Sequence, residues 1–295
     1  MQPSLINLDE CVRNALRLFA EKKLPEFPDI DFKRPLVVGS GNAAVTGRIL
    51  FADTDAVFAD ESDYVKKMAA AKGIDGAVII SASGGKHAPG IANELKSRGL
   101  KTVLLTNTAD SAAGKIADAT AVFPKNPEPY TYNTSTYLSM IFSKTKEDPN
   151  AVLAMLENIE KTAPADLKRC KAFYLLIPDE YEAVRDMFLT KFDELFGPKL
   201  LGRCYTEDET KHAKTLVPSD AELFISLGVE NDTFGKNRFN IPLPEHSGFG
   251  TLIAAGYFFI GLVQKANPPY FKENVERYVA EASKIFGEKL SVIVE

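Results

Sequence analysis

Five consecutive small residues, Ser81-Ala82-Ser83-Gly84-Gly85, follow a run of strand formers, Ala77-Val78-Ile79-Ile80, and precede a helix-like segment from Pro89 to Arg98. A strand that ends in Ser-x-Ser-Gly and opens a helix turns backbone N–H groups outward, with the positive end of the helix dipole behind them. Glycine permits close approach of an anion, and each serine adds a hydroxyl donor. Such a turn can hold a phosphate without a metal. Lys86 follows it, as a point charge for the same anion or as a solvated first-turn lysine. Upstream, Pro35-Leu36-Val37-Val38 runs into Gly39-Ser40-Gly41-Asn42, where Ser40 and Gly41 are candidate contacts. A G-x-G after a strand also serves tight turns that bind nothing.

Ser81-Ala82-Ser83-Gly84, then Val103-Leu104-Leu105-Thr106-Asn107, Ser111 and Ala117-Asp118, resemble in order and spacing the core of the sugar isomerase (SIS) domain. The resemblance implies a doubly wound α/β unit in which Ser81, Ser83, Gly84, Gly85 and Lys86 take the phosphate of a phosphorylated sugar. Three positions depart from the family pattern: Lys86 stands for a threonine, Ala88 for a glutamate, and Ala43 for the serine after the G-x-G. Without the resemblance, the same stretch reads as a generic α/β unit with a polar turn.

With 295 residues, 45% of them apolar, the chain is long enough for one large α/β unit or two ordinary domains. The net charge of −5, with both signs interspersed, argues against broad nucleic-acid binding. Cys11, Cys170 and Cys204 are odd in number and lack C-x-x-C spacing, and no secretory leader is read at the N-terminus; the expectation is a reducing cytoplasm. Phe249 to Val263 is apolar but short for a membrane span and is expected as a buried helix. His87, His212 and His246 form no spaced ligand set, so no metal is expected; the isomerase chemistry considered below would need no cofactor.

Residues 4–22 carry Leu5, Leu8, Val12, Leu16 and Phe19 at helical intervals. A connecting arm, Pro25 to Pro35, leads to strands expected at 35–39, 55–59, 76–81, 101–105 and 120–123, with helices at 42–51, 61–72, 88–98 and 110–117 between them. This alternation implies a parallel sheet covered on both faces. The polar passage Ser143 to Asn150 is the expected boundary, giving domains 1–148 and 149–295. Beyond it the pattern restarts: a helix at 150–162, a strand at 171–177, a helix at 179–196, strands at 199–204 and 222–228, helices at 247–265 and 270–286, and a strand at 289–294. The fold expected is α/β, two doubly wound parallel-sheet SIS (flavodoxin-like) units in tandem. In the second, Ala172 to Ile177 runs into Pro178-Asp179-Glu180 without a glycine turn, so phosphate binding is expected only in the first.

The isomerase that the resemblance implies must open a sugar ring, which suits an imidazole, and then move a proton between neighbouring carbons, which suits a desolvated carboxylate. Glu209-Thr210-Lys211-His212-Ala213-Lys214-Thr215-Leu216-Val217 resembles the family segment with the ring-opening histidine, although Ala213-Lys214 replaces Gly-Pro. That implies His212 for ring opening, often across a subunit boundary, and hence a homodimer. Lys191-Phe192-Asp193-Glu194 resembles the family's K-x-x-E, implying Glu194 as the proton-transfer base and Lys191 as its helper at the developing oxyanion.

Helical spacing makes Tyr181, Val184, Phe188, Phe192 and Leu195 a buried stripe, with Lys191 at its border and Glu194 farther round the same flank. A half-buried flank suits a working carboxylate, and equally an ordinary surface Lys–Glu pair. Charged neighbours likewise suit a solvated His212. Glu128 falls where SIS proteins carry a glutamate ahead of a Ser-Thr pair, here Ser135-Thr136, that opens a helix; Thr134 or Ser135 can also simply cap that helix. Ser111 reads as the cap of a short helix at 112–117, and His87 and His246 as surface and loop residues.

Three activities fit. An aldose–ketose isomerase would act on a hexose or amino-sugar 6-phosphate through an enediol. A deglycase of phosphorylated amine–sugar adducts would share the first proton transfer. A sensor would bind the sugar phosphate and leave it unchanged, as the replacements at Ala43, Lys86 and Ala88 suggest. In each, the partner is a small sugar phosphate and not a nucleic acid or a membrane.

Overall fold

The computed structural model describes residues 5–295; residue 4, where the sequence places the start of the first helix, lies outside the described residues. The chain divides into two compact units. The first comprises Lys23–Asn126 and Ser135–Lys146; the second comprises residues up to Lys22, Pro127–Thr134 and Glu147–Glu295. Helix α1 (Leu8–Glu21) belongs to the second unit and buries Leu8, Val12, Leu16 and Phe19 along one face.

In the first unit, β1 (Pro35–Gly39), α2 (Asn42–Leu50), β2 (Val57–Ala59), α3 (Tyr64–Ala70), β3 (Gly76–Ile80), α4 (His87–Ser97), β4 (Thr102–Thr106) and β5 (Ala119–Val122) follow in turn. All five strands are parallel, in the order β2-β1-β3-β4-β5. Strands β1 and β3 are apolar and buried throughout, as strands covered on both faces must be. Leu36, Val38, Ala77, Ile79 and Leu104 pack with Ile91 and Leu95 of α4 in one core. The strand order reverses between β1 and β3, which is where doubly wound sheets open a crevice beyond their carboxyl ends.

Strand β6 (Glu128–Pro129), helix α5 (Thr134–Thr145) and helix α6 (Pro149–Thr162) lead into the second sheet. It holds β7 (Ala172–Ile177), β8 (Leu201–Thr206), β9 (Glu222–Leu227) and β10 (Asn237–Ile241), parallel in the order β10-β9-β7-β8. Taken from its β8 edge, this order matches the first four strands of the other sheet. Helices α7 (Arg185–Phe196), α8 (Glu207–Lys211), α9 (Phe249–Ala266) and α10 (Tyr270–Phe286) and strand β11 (Ile293–Val294) complete the unit.

Several elements differ from the sequence reading. No helix forms at 110–117; that stretch is a series of turns. The Ala113 N–H donates to Gly84 O at 2.9 Å and the Gly114 N–H to Ser111 Oγ at 3.1 Å, so both amides have partners outside a helical ladder. Residues 179–184 are a 3-10 turn ahead of α7. The final strand shrinks to Ile293–Val294 and pairs antiparallel with β6, outside both larger sheets. Strand β10 and the five-residue α8 carry too little apolar periodicity to have been foreseen.

Helix α9 is, among the described residues, long and apolar enough to cross a membrane, yet 78% of it is buried within the protein. It is the core helix of the second unit. A Cβ on Gly256 would meet the Phe188 ring of α7, and one on Gly261 would come within 2.0 Å of the Asp9 backbone nitrogen. Helix α1 therefore crosses α9 at backbone contact, and Gly261→Ala is expected to lower stability by about 2–3 kcal/mol in a urea titration. At the same crossing, Asp9 is buried with its Oδ1 unpartnered among the described residues. Burial, partly opposed by Lys265, raises its carboxyl above the ordinary value of 3.8. The unfolded chain then binds fewer protons than the native one, so stability falls as pH rises from that ordinary value through the raised one. Asp9→Asn removes this dependence. Its Tm relative to the native chain should be higher at about pH 7 than at about pH 4.

Candidate functional site

The register of the first sheet sets Gly39 beside Ile80, so Ser40 and Ser81 leave adjacent parallel strands at the same edge. The two turns share a backbone shape. Gly41, before α2, has φ +53° and ψ −124°; Lys86, before α4, has φ +51° and ψ −115°. Glycine takes that conformation freely, whereas a side chain there costs on the order of 1–3 kcal/mol, a form of strain that clusters at functional sites. Lys86 is exposed.

Within the turn, the Gly84 N–H donates to Ser81 Oγ at 3.2 Å and the Gly85 N–H to Ser83 Oγ at 3.3 Å. These two amides thus turn back onto the serines, unlike the outward set expected from the sequence. The bonds are long, and a hydroxyl that accepts still has its own proton to donate. Gly84, at φ +61°, has no space for a side chain, since a Cβ would lie 2.4 Å from Ser111 Oγ. Ser111 is accordingly a buried buttress of the turn and not a helix cap. The Ala82 carbonyl accepts the Thr106 hydroxyl at 2.8 Å and the Asn107 N–H at 2.9 Å, tying the turn to the end of β4. Asn107 Nδ2 donates to Thr136 Oγ1 at 2.7 Å, while Ser135 Oγ accepts the Asn126 N–H at 2.9 Å. Asp118 accepts the Thr102 N–H and hydroxyl, bonds that hold its carboxyl below the usual range and clasp β4 to β5.

The second unit holds the other cluster. Lys191, on α7, is fully buried. Its Nζ donates to Thr131 O at 2.9 Å and to Glu194 Oε2 at 2.7 Å, and lies 5.7 Å from the ring centroids of both Tyr132 and Tyr257. Two aromatic faces and two acceptors replace the water that a buried ammonium loses. The Glu194 side chain is 22% exposed. Lys191 thus sits inside the stripe of Phe188, Phe192 and Leu195 instead of at its border, and Tyr181 lies in the 3-10 turn, partly buried.

Glu128 is buried and its Oε2 accepts the Thr134 N–H, the first of α5, at 2.6 Å. Strand β6 pairs with β11 through Glu128–Val294 and Pro129–Ile293, and the Tyr130 N–H donates to Val292 O at 2.7 Å. One short loop therefore carries both Glu128 and the carbonyl that holds Lys191. Beside it, Gln264 Nε2 donates to the Tyr132 hydroxyl at 2.9 Å. Burial drives the Tyr132 phenol and the Cys11 thiol well above their ordinary values, with the charge of Glu128 adding to the effect on Cys11. Both stay protonated near neutral pH.

His212 ends α8, exposed, with its N–H on Glu209 O at 3.0 Å; no hydrogen bond or ion pair joins it to Lys191 or Glu194. Ala213 follows at φ +59°, a conformation that suits the glycine of the family pattern better than alanine. His246 is an exposed loop residue, and His87 is an exposed first residue of α4. After β7, Asp179 accepts the Asp208 N–H at 3.1 Å, and the Thr206 hydroxyl holds its carboxyl below the usual range. Glu180 and Glu182 share that turn, whose charge is unsuited to an anion.

No protein-family model matches the chain, and no curated protein matches it. Solved structures do. Glucosamine-6-phosphate deaminase from Thermotoga maritima is similar at a TM-score of 0.67 and 19% identity, over 89% of this chain and 95% of that one. The C-terminal domain of glucosamine-fructose-6-phosphate aminotransferase from Francisella tularensis gives 0.61 and 12%, over 88% and 92%. Tagatose-6-phosphate ketose/aldose isomerase from Escherichia coli gives 0.59 and 15%, over 88% of each. At these identities the likeness establishes a shared α/β fold.

The buried ammonium gives this site a measurable stake in stability. Lys191→Met would leave Thr131 O and Glu194 without their cation, with an expected loss of about 2–3 kcal/mol in a urea titration, below the range for a fully buried pair because Glu194 reaches solvent.

Proposed function

We propose that this chain is a sugar-phosphate isomerase that interconverts an aldose and a ketose, with a hexose or amino-sugar 6-phosphate as substrate. The observation that carries this reading is the Lys191–Glu194 pair: a carboxylate with partial access to solvent, fixed at 2.7 Å by a fully buried ammonium. A serine- and glycine-rich turn at a strand-order reversal, and a fold shared with proteins named for amino-sugar and ketose phosphates, support it.

The chemistry needs no cofactor. Ser81 and Ser83 donate their hydroxyl protons to the phosphate, and Ser40, Gly41, Gly84, Gly85 and Lys86 line the same strand edge. His212 assists ring opening; its exposure suits a residue that works against a second copy of the chain, so a cytoplasmic homodimer is part of the proposal. In the open-chain aldose, the Glu194 carboxylate removes the C2 proton. The released electron pair forms the C1–C2 double bond, and the C1 carbonyl oxygen becomes an enediol oxygen. The same carboxyl returns the proton to C1 as the C2 hydroxyl becomes a carbonyl and its proton passes to the C1 oxygen, which ends as a hydroxyl. An ammonium has three protons; two are committed to Thr131 and Glu194, and the third is assigned to the developing oxyanion. Glu128 fixes the loop that holds Lys191.

A second reading, a sugar-phosphate sensor, draws support from the exposed His212 and from serine hydroxyls that already accept backbone N–H groups. A deglycase would share the first proton transfer. Hexose 6-phosphates and their 2-amino derivatives, incubated in deuterium oxide and followed by NMR, separate the isomerase from the sensor. An isomerase incorporates deuterium at C1 or C2. Glu194→Gln should slow that by about 10²–10⁴-fold with little change in affinity, and Ser81→Ala with Ser83→Ala should raise KM about 10- to 100-fold. Binding without exchange in the native protein would favour the sensor, and undiminished exchange in Glu194→Gln would remove the base.

A further inference from the structure

Thr131 sits at φ +78°, a conformation that a β-branched residue rarely accepts and that glycine or asparagine takes far more easily. Asn133, two residues on at φ +47°, is such a residue. The Thr131 carbonyl accepts Lys191 Nζ at 2.9 Å, but a glycine would present the same carbonyl. Its side chain has no such use. Thr131 Oγ1 is buried and has no hydrogen-bond partner among the described residues. A strained backbone and an unpartnered buried hydroxyl are both unfavourable.

We infer that Thr131 is a specificity-determining residue whose hydroxyl bonds a hydroxyl group of the sugar phosphate held at the Lys191–Glu194 pair. This rests on the isomerase reading above. The residue that bears the hydroxyl also bears the carbonyl bonded to Lys191, so a ligand carbon presented to Glu194 brings its own hydroxyls close to Thr131. A threonine hydroxyl both donates and accepts, which suits a polyol. Thr134 has a similarly unpartnered hydroxyl and is 1% exposed, but no bond ties it to Lys191, and it is given no part.

The test compares Thr131→Val, Thr131→Ser and Thr131→Gly in the full chain, with Glu194→Gln alongside and glucose, fructose and glucosamine 6-phosphates as probes. Valine keeps the shape and removes the hydroxyl. Its Tm should equal or exceed the native value, because an unsatisfied buried group is gone, while kcat/KM for the sugar turned over falls about three- to tenfold. Serine should restore turnover. Glycine should raise Tm by relieving strain and still show the valine deficit. Full turnover in Thr131→Val, or a Tm loss in it that serine recovers, overturns the inference, the latter by showing that the hydroxyl already has a partner in the fold. Should Glu194→Gln keep exchanging deuterium, the isomerase reading fails separately. The hydroxyl is then judged by ligand-induced thermal shift, where a shift lost in Thr131→Val and kept in Thr131→Ser supports it and an unchanged shift refutes it.

Discussion

The second unit is arranged around one buried positive charge. Removing an ammonium from water is costly by several kcal/mol, and Lys191, wholly inside the protein, is stable there only because a carbonyl, a carboxylate and two ring faces are in place together. Each has its own support. The carbonyl belongs to a left-handed residue in the loop after β6, which is stitched to β11. The Tyr257 ring is on α9, whose Gly256 lets Phe188 of α7 close on it. The Tyr132 ring is anchored by Gln264, which also accepts the first amide of α1 at 2.9 Å. Helix packing, loop strain and side-chain chemistry thus meet at a single nitrogen.

The first unit meets a different constraint, set by strand order. Parallel strands put all their outgoing turns at one edge, and the reversal between β1 and β3 sets two of those turns side by side. The sheet of the second unit shares the order, but the turn after its β7 carries acidic residues. The same topology therefore carries a serine- and glycine-rich turn at one edge and an acidic turn at the other. Gly41 and Lys86 share a backbone shape there: one turn uses the residue that fits, and the other tolerates strain with a lysine in its place.

Much of this was legible in the amino-acid sequence. The apolar runs at 35–39 and 76–80, each followed by a turn with glycine, read as buried strands, and the β-α alternation follows from their spacing. The K-x-x-E spacing placed Lys191 and Glu194 within reach of each other, because residues three apart on a helix are neighbours. The depth of Lys191 was not legible. It depends on Thr131, sixty residues away in sequence, whose left-handed backbone no local residue type announces. The missing helix at 110–117 shows a similar limit: Ser111 looks like a cap until Gly84 claims the amide at Ala113. Strand β11 was foreseen as a strand but not with its partner, since a two-residue pairing leaves no periodic trace.

That pairing bears on how the protein is made. The loop with Glu128 and Thr131 is held by Val292, Ile293 and Val294, so it stays unfinished on the ribosome until almost all of the second unit has been synthesised. Contacts between residues so distant along a chain form late, because a large loop must close before they contribute. The buried lysine would then be among the last groups to lose its water, and a nascent chain would have its first sheet complete well before that charge was enclosed.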